Sequence, residues 1–352
     1  MQDLINVQKN AMLYGVRYYQ KLGNKLWDCL GLNRAMIENL DSVTLLGSGS
    51  SFNATRIGQF YFESICRIPG RFCRPSEFMH RPIFPQENNL HLFVSASGER
   101  KNILKALDYV KSLGFHSAGI TNSPTSDLVK NSDGFFLTHL PQEYSTKPLN
   151  FAPQLIALYW LANRIAVERG LKNFADLEKA ELDILKAIEL FETLPKINKK
   201  YIADFHSKYY SCKKFIFVGR CVGYPFAMES SFQLEQACPS IYSKGYPCGE
   251  FVRGPLQQED KNSPIILFSV PNKQIYENLI DDAQEIRSNN GHLISFAFED
   301  QKELISLSNY AFIIPKTSHM LSPIAVAGLM QVVFGFFSSI HSQAQASASV
   351  TI

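Results

Sequence analysis

The stretch Phe93-Val94-Ser95-Ala96-Ser97-Gly98-Glu99-Arg100 decides the fold. The apolar residues 90–94, interrupted only by His91, predict a buried strand, and residues 101–113 predict a helix directly after the stretch. Small hydroxyl residues and a glycine at such a junction let the backbone approach an anion, and the helix N-terminus adds unpaired N–H groups and a positive dipole end. The loop therefore predicts a site for an anion such as a sugar phosphate. A helix cap with nothing bound is the alternative.

The same order of elements occurs twice, at an offset of about 170 residues. The first half predicts strands at residues 43–46, 71–73, 90–94, 118–121 and 134–138. The second half predicts strands at residues 214–218, 241–243, 265–270, 292–297 and 311–314. Because helices alternate with these strands, each half should form a parallel sheet covered on both faces. The predicted fold class is α/β, with two tandem domains of the doubly wound, flavodoxin-like kind.

The repeat also predicts the organisation of the chain. We expect a helical arm at 1–40, a first domain at 41–170, a charged helical linker at 171–212, a second domain at 213–345 and a short tail at 346–352. Within the linker, Pro195 is expected to end a helix.

Composition excludes several classes of protein. The 352 residues carry a net charge of only +3 with both signs interspersed, which argues against a nucleic-acid partner. The seven cysteines are scattered, odd in number and without a CxxC pair, which favours reduced thiols in the cytoplasm and predicts no metal site. Gly47-Ser48-Gly49 lacks the third glycine and the acidic partner of a dinucleotide fingerprint, so no cofactor is expected.

One apolar segment approaches the length of a membrane span. Residues 323–340 are mostly apolar, and no charged side chain occurs between Leu321 and Ile352. The polar Gln331 and the absence of a basic flank instead favour a buried helix of the second domain, so no membrane partner is expected. The N-terminus shows no basic run followed by an apolar core and predicts no signal peptide.

Several short stretches together carry a family resemblance, although none is specific alone. They are Gly49-Ser50-Ser51, Ser76-Glu77-Phe78, Ser95-Ala96-Ser97-Gly98-Glu99, Ser145-Thr146-Lys147, Gly219-Arg220, Tyr224-Pro225, Gly249-Glu250, Gly254-Pro255-Leu256 and Ser349-Val350-Thr351. In this order and spacing the chain resembles, over about residues 40–345, the double sugar-isomerase (SIS) family, as in the isomerase part of glucosamine-6-phosphate synthase.

The resemblance implies a phosphosugar site in the first domain. The positions that match the family's phosphate-binding hydroxyls are Ser50, Ser51, Ser95 and Ser97. Arg100 replaces a family threonine, and its guanidinium would either bind phosphate or face solvent. Ser145 and Thr146 match a loop that touches the sugar. The implied ligand is a hexose 6-phosphate or an amino-sugar phosphate.

The reactive positions implied by the resemblance are changed. The family's glutamate base aligns with Gln236, which cannot accept a proton, so the adjacent Glu235 is the candidate base and Glu250 the next carboxylate. The ring-opening histidine aligns with Arg253, which stays protonated but can stabilise an oxyanion. The Schiff-base lysine aligns with Ala348, which forms no such adduct.

Two functions follow from this mixture of kept and changed positions. The first is an isomerase, an aminotransferase-like enzyme or a deaminase that uses Glu235, Glu250 and Arg253. The alternative is a protein that senses a phosphosugar without transforming it. The synthase's glutamine-hydrolysing domain needs an N-terminal cysteine, whereas Met1 is followed here by Gln2, so ammonia would be free or come from a partner protein. The resemblance also implies a homodimer.

Overall fold

The computed structural model describes residues 2–81, 88–144, 149–259 and 263–349. The chain divides into two compact units, Gln2–Ile188 and Glu189–Ile352. The division falls inside one long helix, within the segment expected to link two domains.

Each unit contains one five-stranded parallel sheet. The strands of the first sheet are β1 (Ser42–Gly47), β2 (Gly70–Cys73), β3 (Asn89–Ser95), β4 (Ser117–Thr121) and β5 (Gly134–Leu137). The strands of the second sheet are β6 (Lys214–Gly219), β7 (Tyr242–Pro247), β8 (Pro264–Phe268), β9 (His292–Phe298) and β10 (Tyr310–Ile314). The strand orders are β2-β1-β3-β4-β5 and β7-β6-β8-β9-β10, so the repeat and the α/β fold predicted from the sequence are confirmed.

Helices connect these strands. The first unit holds α1 (Gln2–Leu22), α2 (Lys25–Cys29), α3 (Arg34–Glu38), α4 (Ser50–Tyr61), α5 (Pro75–Phe78), α6 (Lys101–Ser112), α7 (Asp127–Asn131) and α8 (Phe151–Glu168). Helix α9 (Phe174–Ile197) runs from the first unit into the second. The second unit continues with α10 (Lys199–Tyr209), α11 (Gly223–Ala237), α12 (Cys248–Val252), α13 (Lys273–Ser288), α14 (Lys302–Leu307) and α15 (Ser322–Ser349).

Strand β3 is the centre of the first sheet. All seven of its residues are buried, and it pairs in parallel with β1 on one side and β4 on the other. Phe93 is fully buried and belongs to one apolar cluster with Leu46 of β1 and with Ile103 and Leu107 of α6. Burial on both faces explains why the strand reads as a continuous apolar run.

Strand order reverses at one point in each sheet. From β1 the chain moves outward to β2, then returns across β1 to β3 on the other side, and β6, β7 and β8 repeat this path. The loops that leave β1 and β3, and those that leave β6 and β8, therefore diverge and open a crevice at the carboxyl ends of the strands. This position is where open α/β sheets bind ligands.

Helix α9 does not end at Pro195, contrary to the prediction. It continues to Ile197, with Pro195 in its last turn. Proline has no N–H to donate to the carbonyl four residues earlier, which belongs to Phe191. Helix α15 packs closely there, since a Cβ added to Gly328 would lie 2.1 Å from the Phe191 carbonyl oxygen. The Phe191 carbonyl, which Pro195 leaves without its helical donor, lies against α15. The helix therefore continues through a residue that local propensity alone would treat as its end.

The C-terminal segment also differs from the prediction. Helix α15 extends to Ser349, so the backbone of 346–349 is helical where a tail was expected. Among the described residues, no helix has both the length and the apolar character needed to cross a lipid bilayer.

The buried position of Phe93 gives a stability prediction. Phe93→Ala removes a fully buried ring next to Leu46 and Ile103, and we expect it to lower the free energy of unfolding by about 3–5 kcal/mol in urea denaturation. The matched control is Phe174→Ala, because Phe174 is 65% exposed and its loss should cost less than about 1 kcal/mol. Equal effects of the two substitutions would contradict the central position of β3.

Candidate functional site

The loop after β1 starts a helix whose N-terminus has no side-chain cap. Gly49 precedes α4 with φ of 60°, a left-handed value that favours glycine. Ser50 is half-buried and Ser51 is buried in the first turn of α4. The Ser51 Oγ accepts a hydrogen bond of 3.0 Å from Nε2 of the buried Gln154 on α8. The Ser51 hydroxyl proton therefore remains to be donated, and the N-cap glycine has no side chain with which to cap α4.

The loop after β3 has the same character. Ser95 is buried and its Oγ accepts from the Gly98 N–H at 3.2 Å, while the half-buried Ser97 accepts from the Glu99 N–H at 3.3 Å. Both hydroxyls are used as acceptors in these bonds, so each still has a proton to donate. Helix α6 follows with Arg100 at its N-cap and, like α4, has no side-chain cap.

Carbonyl groups of this loop are bound to the loop after β4 and to the first turn of α7. The Ala96 carbonyl accepts from the Asn122 N–H at 3.0 Å, and the Gly98 carbonyl accepts from the Leu128 N–H at 3.1 Å. These bonds fix the loop and occupy two oxygens that would otherwise repel an anion.

The two loops begin side by side because β1 and β3 are paired, with Gly47 opposite Val94. We call Ser50, Ser51, Ser95 and Ser97 the serine cradle. Around the cradle, α4 and α6, each of 12 residues, present uncapped N-termini at the same edge of the sheet. Hydroxyl donors, free N–H groups and two positive dipole ends form an arrangement suited to a phosphate.

Charged side chains around the cradle are mostly basic. Arg100 is exposed at the start of α6, and Arg74 follows the adjacent strand β2 with its Cζ 4.2 Å from the Phe52 ring centroid. Arg56 lies over the same ring at 5.9 Å. The nearby carboxylate of Glu99 accepts from the Asp127 N–H at 3.0 Å, so it binds the first N–H group of α7, whose N-cap is Ser126.

Ser145 and Thr146, the positions expected to touch the sugar, lie outside the described residues.

The reactive candidates in the second unit occupy two separate places. Glu235 and Gln236 are exposed near the C-terminus of α11, whereas Glu250 and Arg253 line a cavity that α11 meets at its N-terminus. Glu235 follows Gly223 by twelve positions, which corresponds to about 18 Å along the helix. Within this unit, the structure does not bring Glu235 together with the other two candidates.

The cavity containing Glu250 and Arg253 has a volume of about 710 Å³. It opens at the carboxyl edge of the second sheet, between the loops that follow β6, β7 and β8. Arg220 lines it and donates to both carboxylate oxygens of the buried Asp282, at 2.5 and 2.8 Å. This pairing raises the pKa of the Arg220 guanidinium and fixes its position.

The sequence alone did not reveal the supporting residues of the cradle. Gln154 holds Ser51, and Arg74 adds a positive charge beside Phe52, yet neither belongs to a recognised motif. Arg74 directly follows the carboxyl end of β2, the end at which open α/β sheets bind ligands. Its position in the sequence, just after a predicted strand, was therefore a usable signal. Gln154 lies about 100 residues from its partner, so only the fold reveals that contact. Among the described residues, no group of three or more His, Cys, Asp or Glu side chains is placed to bind a metal ion.

Comparison with known proteins identifies the class. The SIS domain profile matches residues 36–164 and 208–340, and the chain therefore belongs to the SIS domain family. The resemblance found in the sequence is confirmed.

Individual proteins and solved structures are also similar to this chain over most of its length. Over 304 residues, the chain is 28% identical to the glutamine–fructose-6-phosphate aminotransferase (isomerizing) of Gloeobacter violaceus, an alignment covering 86% of this chain and 50% of that protein. The chain thus spans about half the length of the curated relatives it matches. Among solved structures, the C-terminal domain of glucosamine-fructose-6-phosphate aminotransferase from Francisella tularensis superposes with a TM-score of 0.84 at 23% identity, covering 96% of this chain and 95% of that one. Tagatose-6-phosphate ketose/aldose isomerase from Escherichia coli gives a TM-score of 0.78 at 14% identity, covering 96% and 92%.

The geometry of the second loop gives a matched prediction on two glycines. Gly98 and Gly114 both have left-handed φ values, 71° and 75°. A Cβ at Gly98 would lie 2.3 Å from the Ser126 Oγ, whereas at Gly114 it would meet nothing within 4 Å. We expect Gly98→Ala to destabilise the protein by about 1–3 kcal/mol more than Gly114→Ala in urea denaturation. Equal unfolding midpoints would show that the loop is not held against Ser126.

Proposed function

We propose that the protein binds a hexose 6-phosphate or an amino-sugar phosphate, with the phosphate in the serine cradle. The observation that carries this proposal is the convergence of two uncapped helix N-termini and four serine hydroxyls where the strand order reverses. A phosphate dianion accepts many hydrogen bonds and gains from both helix dipoles. The relatives named above support a phosphorylated hexose as the class of ligand.

Basic residues add to the same preference. Arg100 is the N-cap residue of α6. Arg74 lies over the ring of Phe52, and Phe52 follows Ser50 by two residues in α4. An arginine can bind phosphate through two parallel charge-assisted hydrogen bonds. We assign both guanidinium groups to the recognition of the phosphate and to the attraction of the anionic ligand.

For the chemistry, we propose proton transfer between C1 and C2 of the bound sugar, as an isomerase, an aminotransferase-like enzyme or a deaminase requires. Glu235 is the proposed base, because its neighbour Gln236 cannot accept a proton. Arg253 is proposed to stabilise an oxyanion and Glu250 to act as a second carboxylate. Incorporation of an amine would use free ammonia or ammonia from a partner protein.

The separation of these candidates supports a homodimer as part of the proposal. Glu235 lies about 18 Å along α11 from the end that meets the cavity of Glu250 and Arg253. One sugar therefore cannot touch both places within a single second unit. In a dimer, Glu235 of one copy and the Glu250–Arg253 pair of the other would act on the same substrate molecule.

We also propose a reducing, cytoplasmic location, since the seven cysteines are all free.

A sensing protein is the second candidate function. It is favoured by Gln236, Arg253 and Ala348, which replace the reactive side chains implied by the family, while the serine cradle is complete. Such a protein would bind the phosphosugar and release it unchanged.

Binding is tested by titration calorimetry with fructose 6-phosphate, glucosamine 6-phosphate and unphosphorylated fructose. We expect both phosphates to bind and fructose not to bind at the cradle. Ser97→Ala should weaken phosphate binding about tenfold or more, because a hydrogen bond to a charged group is lost. Ser112→Ala is the matched control, since Ser112 is exposed at the C-terminal end of α6, the helix that follows the loop of Ser97, and donates to the Tyr109 carbonyl. Unchanged affinity in Ser97→Ala would remove the cradle from the proposal.

Turnover separates the enzyme from the sensor. Each phosphosugar is incubated with the protein, with and without ammonia, and the products are separated by chromatography. For the enzyme, Glu235→Gln should lower kcat at least about a hundredfold, as expected for loss of a general base, with little change in phosphosugar affinity. Product formation unchanged in Glu235→Gln would exclude Glu235 as the base. Binding without any product from the unmodified protein would favour the sensor.

A further inference from the structure

The first unit contains a cavity that is separate from the serine cradle. It is lined by α1, α8, α9 and the turn between α1 and α2, and its volume is about 210 Å³. Its described lining residues all belong to Gln2–Ile188, and none of them is assigned above to the phosphosugar. Drug-sized ligands occupy pockets of about 300–1,000 Å³, so this cavity suits a smaller molecule.

A buried arginine with an unused donor lines this cavity. Arg164 of α8 is 2% exposed, and its Nη2 donates to the Asn24 Oδ1 at 3.2 Å. Its buried Nη1 has no hydrogen-bond acceptor among the described residues. Burial lowers the pKa of the Arg164 guanidinium, while the carboxylates of Glu168 and Glu181 act in the opposite direction. Because a buried, charged donor without an acceptor is unfavourable, an oxygen acceptor beside Arg164 would stabilise the site.

Two aromatic rings flank the guanidinium. The Arg164 Cζ lies 5.3 Å from the ring centroid of Trp27 and 5.7 Å from that of Phe174. These rings attract the charge but offer no oxygen to accept from Nη1. Phe174 lines the cavity and is 65% exposed, and exposed side chains change rotamer readily. A ligand can therefore reach the guanidinium when the Phe174 ring turns aside.

Two carboxylates line the same cavity. Glu181 is buried, and its two oxygens accept from the Trp160 Nε1 at 2.9 Å and from the Gln20 Nε2 at 2.8 Å. These bonds hold the carboxylate in place, and each oxygen can accept a further hydrogen bond. Glu178 lies about one turn earlier in α9 and is exposed. The cavity therefore offers acceptors for a cationic group as well as a donor for an anionic group.

Much of the remaining lining is apolar. Tyr19 and Trp160 are each 1% exposed, and their ring centroids lie 5.3 Å apart. The Tyr19 hydroxyl donates to the Leu137 carbonyl at 2.8 Å, so its polar end already has a partner. Leu177 of α9 is also buried and lines the cavity. An apolar side chain of a ligand would lose water against these groups and gain contact area.

A ligand with a single charge does not suit this set of residues. An anion would meet the carboxylates of Glu178 and Glu181, and a cation would leave the Arg164 donor without an acceptor. We propose that the cavity binds a free α-amino acid with an apolar side chain, its carboxylate at Arg164 and its ammonium group at Glu181. Such a zwitterion carries both charges in a molecule small enough for the cavity.

The test is titration calorimetry of the full chain with L-phenylalanine and L-leucine. We expect at least one of them to bind, at one site per chain. The matched analogues without the ammonium group are phenylpropanoate and isohexanoate, and those without the carboxylate are phenylethylamine and isopentylamine. Each analogue should bind at least about tenfold more weakly than its parent amino acid, because it leaves one charged group of the cavity without its partner.

Substitutions locate the site. Arg164→Met and Glu181→Gln should each weaken amino-acid binding about tenfold or more, through loss of a charge-assisted hydrogen bond. Arg17→Met is the matched control, since Arg17 is exposed on α1 and does not line the cavity, and it should leave binding unchanged. Ser97→Ala should weaken fructose 6-phosphate and leave the amino acid unaffected, so failure at one site is distinguished from failure at the other.

Three results would overturn the proposal. These are no binding of either amino acid at tens of millimolar, equal affinity of a bound amino acid and one of its single-charge analogues, or unchanged affinity in Arg164→Met or Glu181→Gln. Circular dichroism confirms that each variant is folded before it is titrated. The analogue series uses the unmodified chain, so it tests the proposal even where a variant does not fold.

Discussion

The parallel pairing of β1 with β3, with β2 on the far side of β1, is the constraint on which the candidate site depends. Parallel strands place all their carboxyl ends at one edge, and the reversal of order makes two successive loops diverge there. Two helices, α4 and α6, consequently start next to each other with their N–H groups at the same edge. The backbone geometry alone is suited to an anion, and the four serines of the proposed site add hydroxyl donors to it.

The same backbone occurs twice, but its two crevices have different chemistry. In the first unit, a left-handed Gly98 and small serines keep the edge open, and the helix starts are uncapped. In the second unit, Asn272 caps α13 and Asp282 neutralises Arg220. The repeated fold does not repeat its local chemistry, because a few side chains decide whether the helix N-terminus is capped and which charges are paired.

Holding a ligand and transforming it depend on different parts of the chain. The cradle is built from strand ends, whose positions are fixed by buried sheets. The proposed reactive groups are exposed and lie on α11, on α12 and at the C-cap of α12, at places separated by the length of a helix. Side chains in such positions are replaced without loss of the core, which explains how Gln236 and Arg253 are compatible with an intact fold. A cradle built from strand ends is therefore compatible with changes at these exposed positions.

The sequence by itself determined the repeated α/β architecture and the strand at Asn89–Ser95, because hydrophobic periodicity and glycine–serine junctions are local signals. It did not determine that α9 continues through Pro195, that Gln154 holds Ser51, or that Glu235 lies apart from Glu250 and Arg253. These features depend on contacts between residues far apart in the chain. Only the tertiary structure decides them, since packing against a distant element overrides local propensity and places side chains that no spacing rule relates.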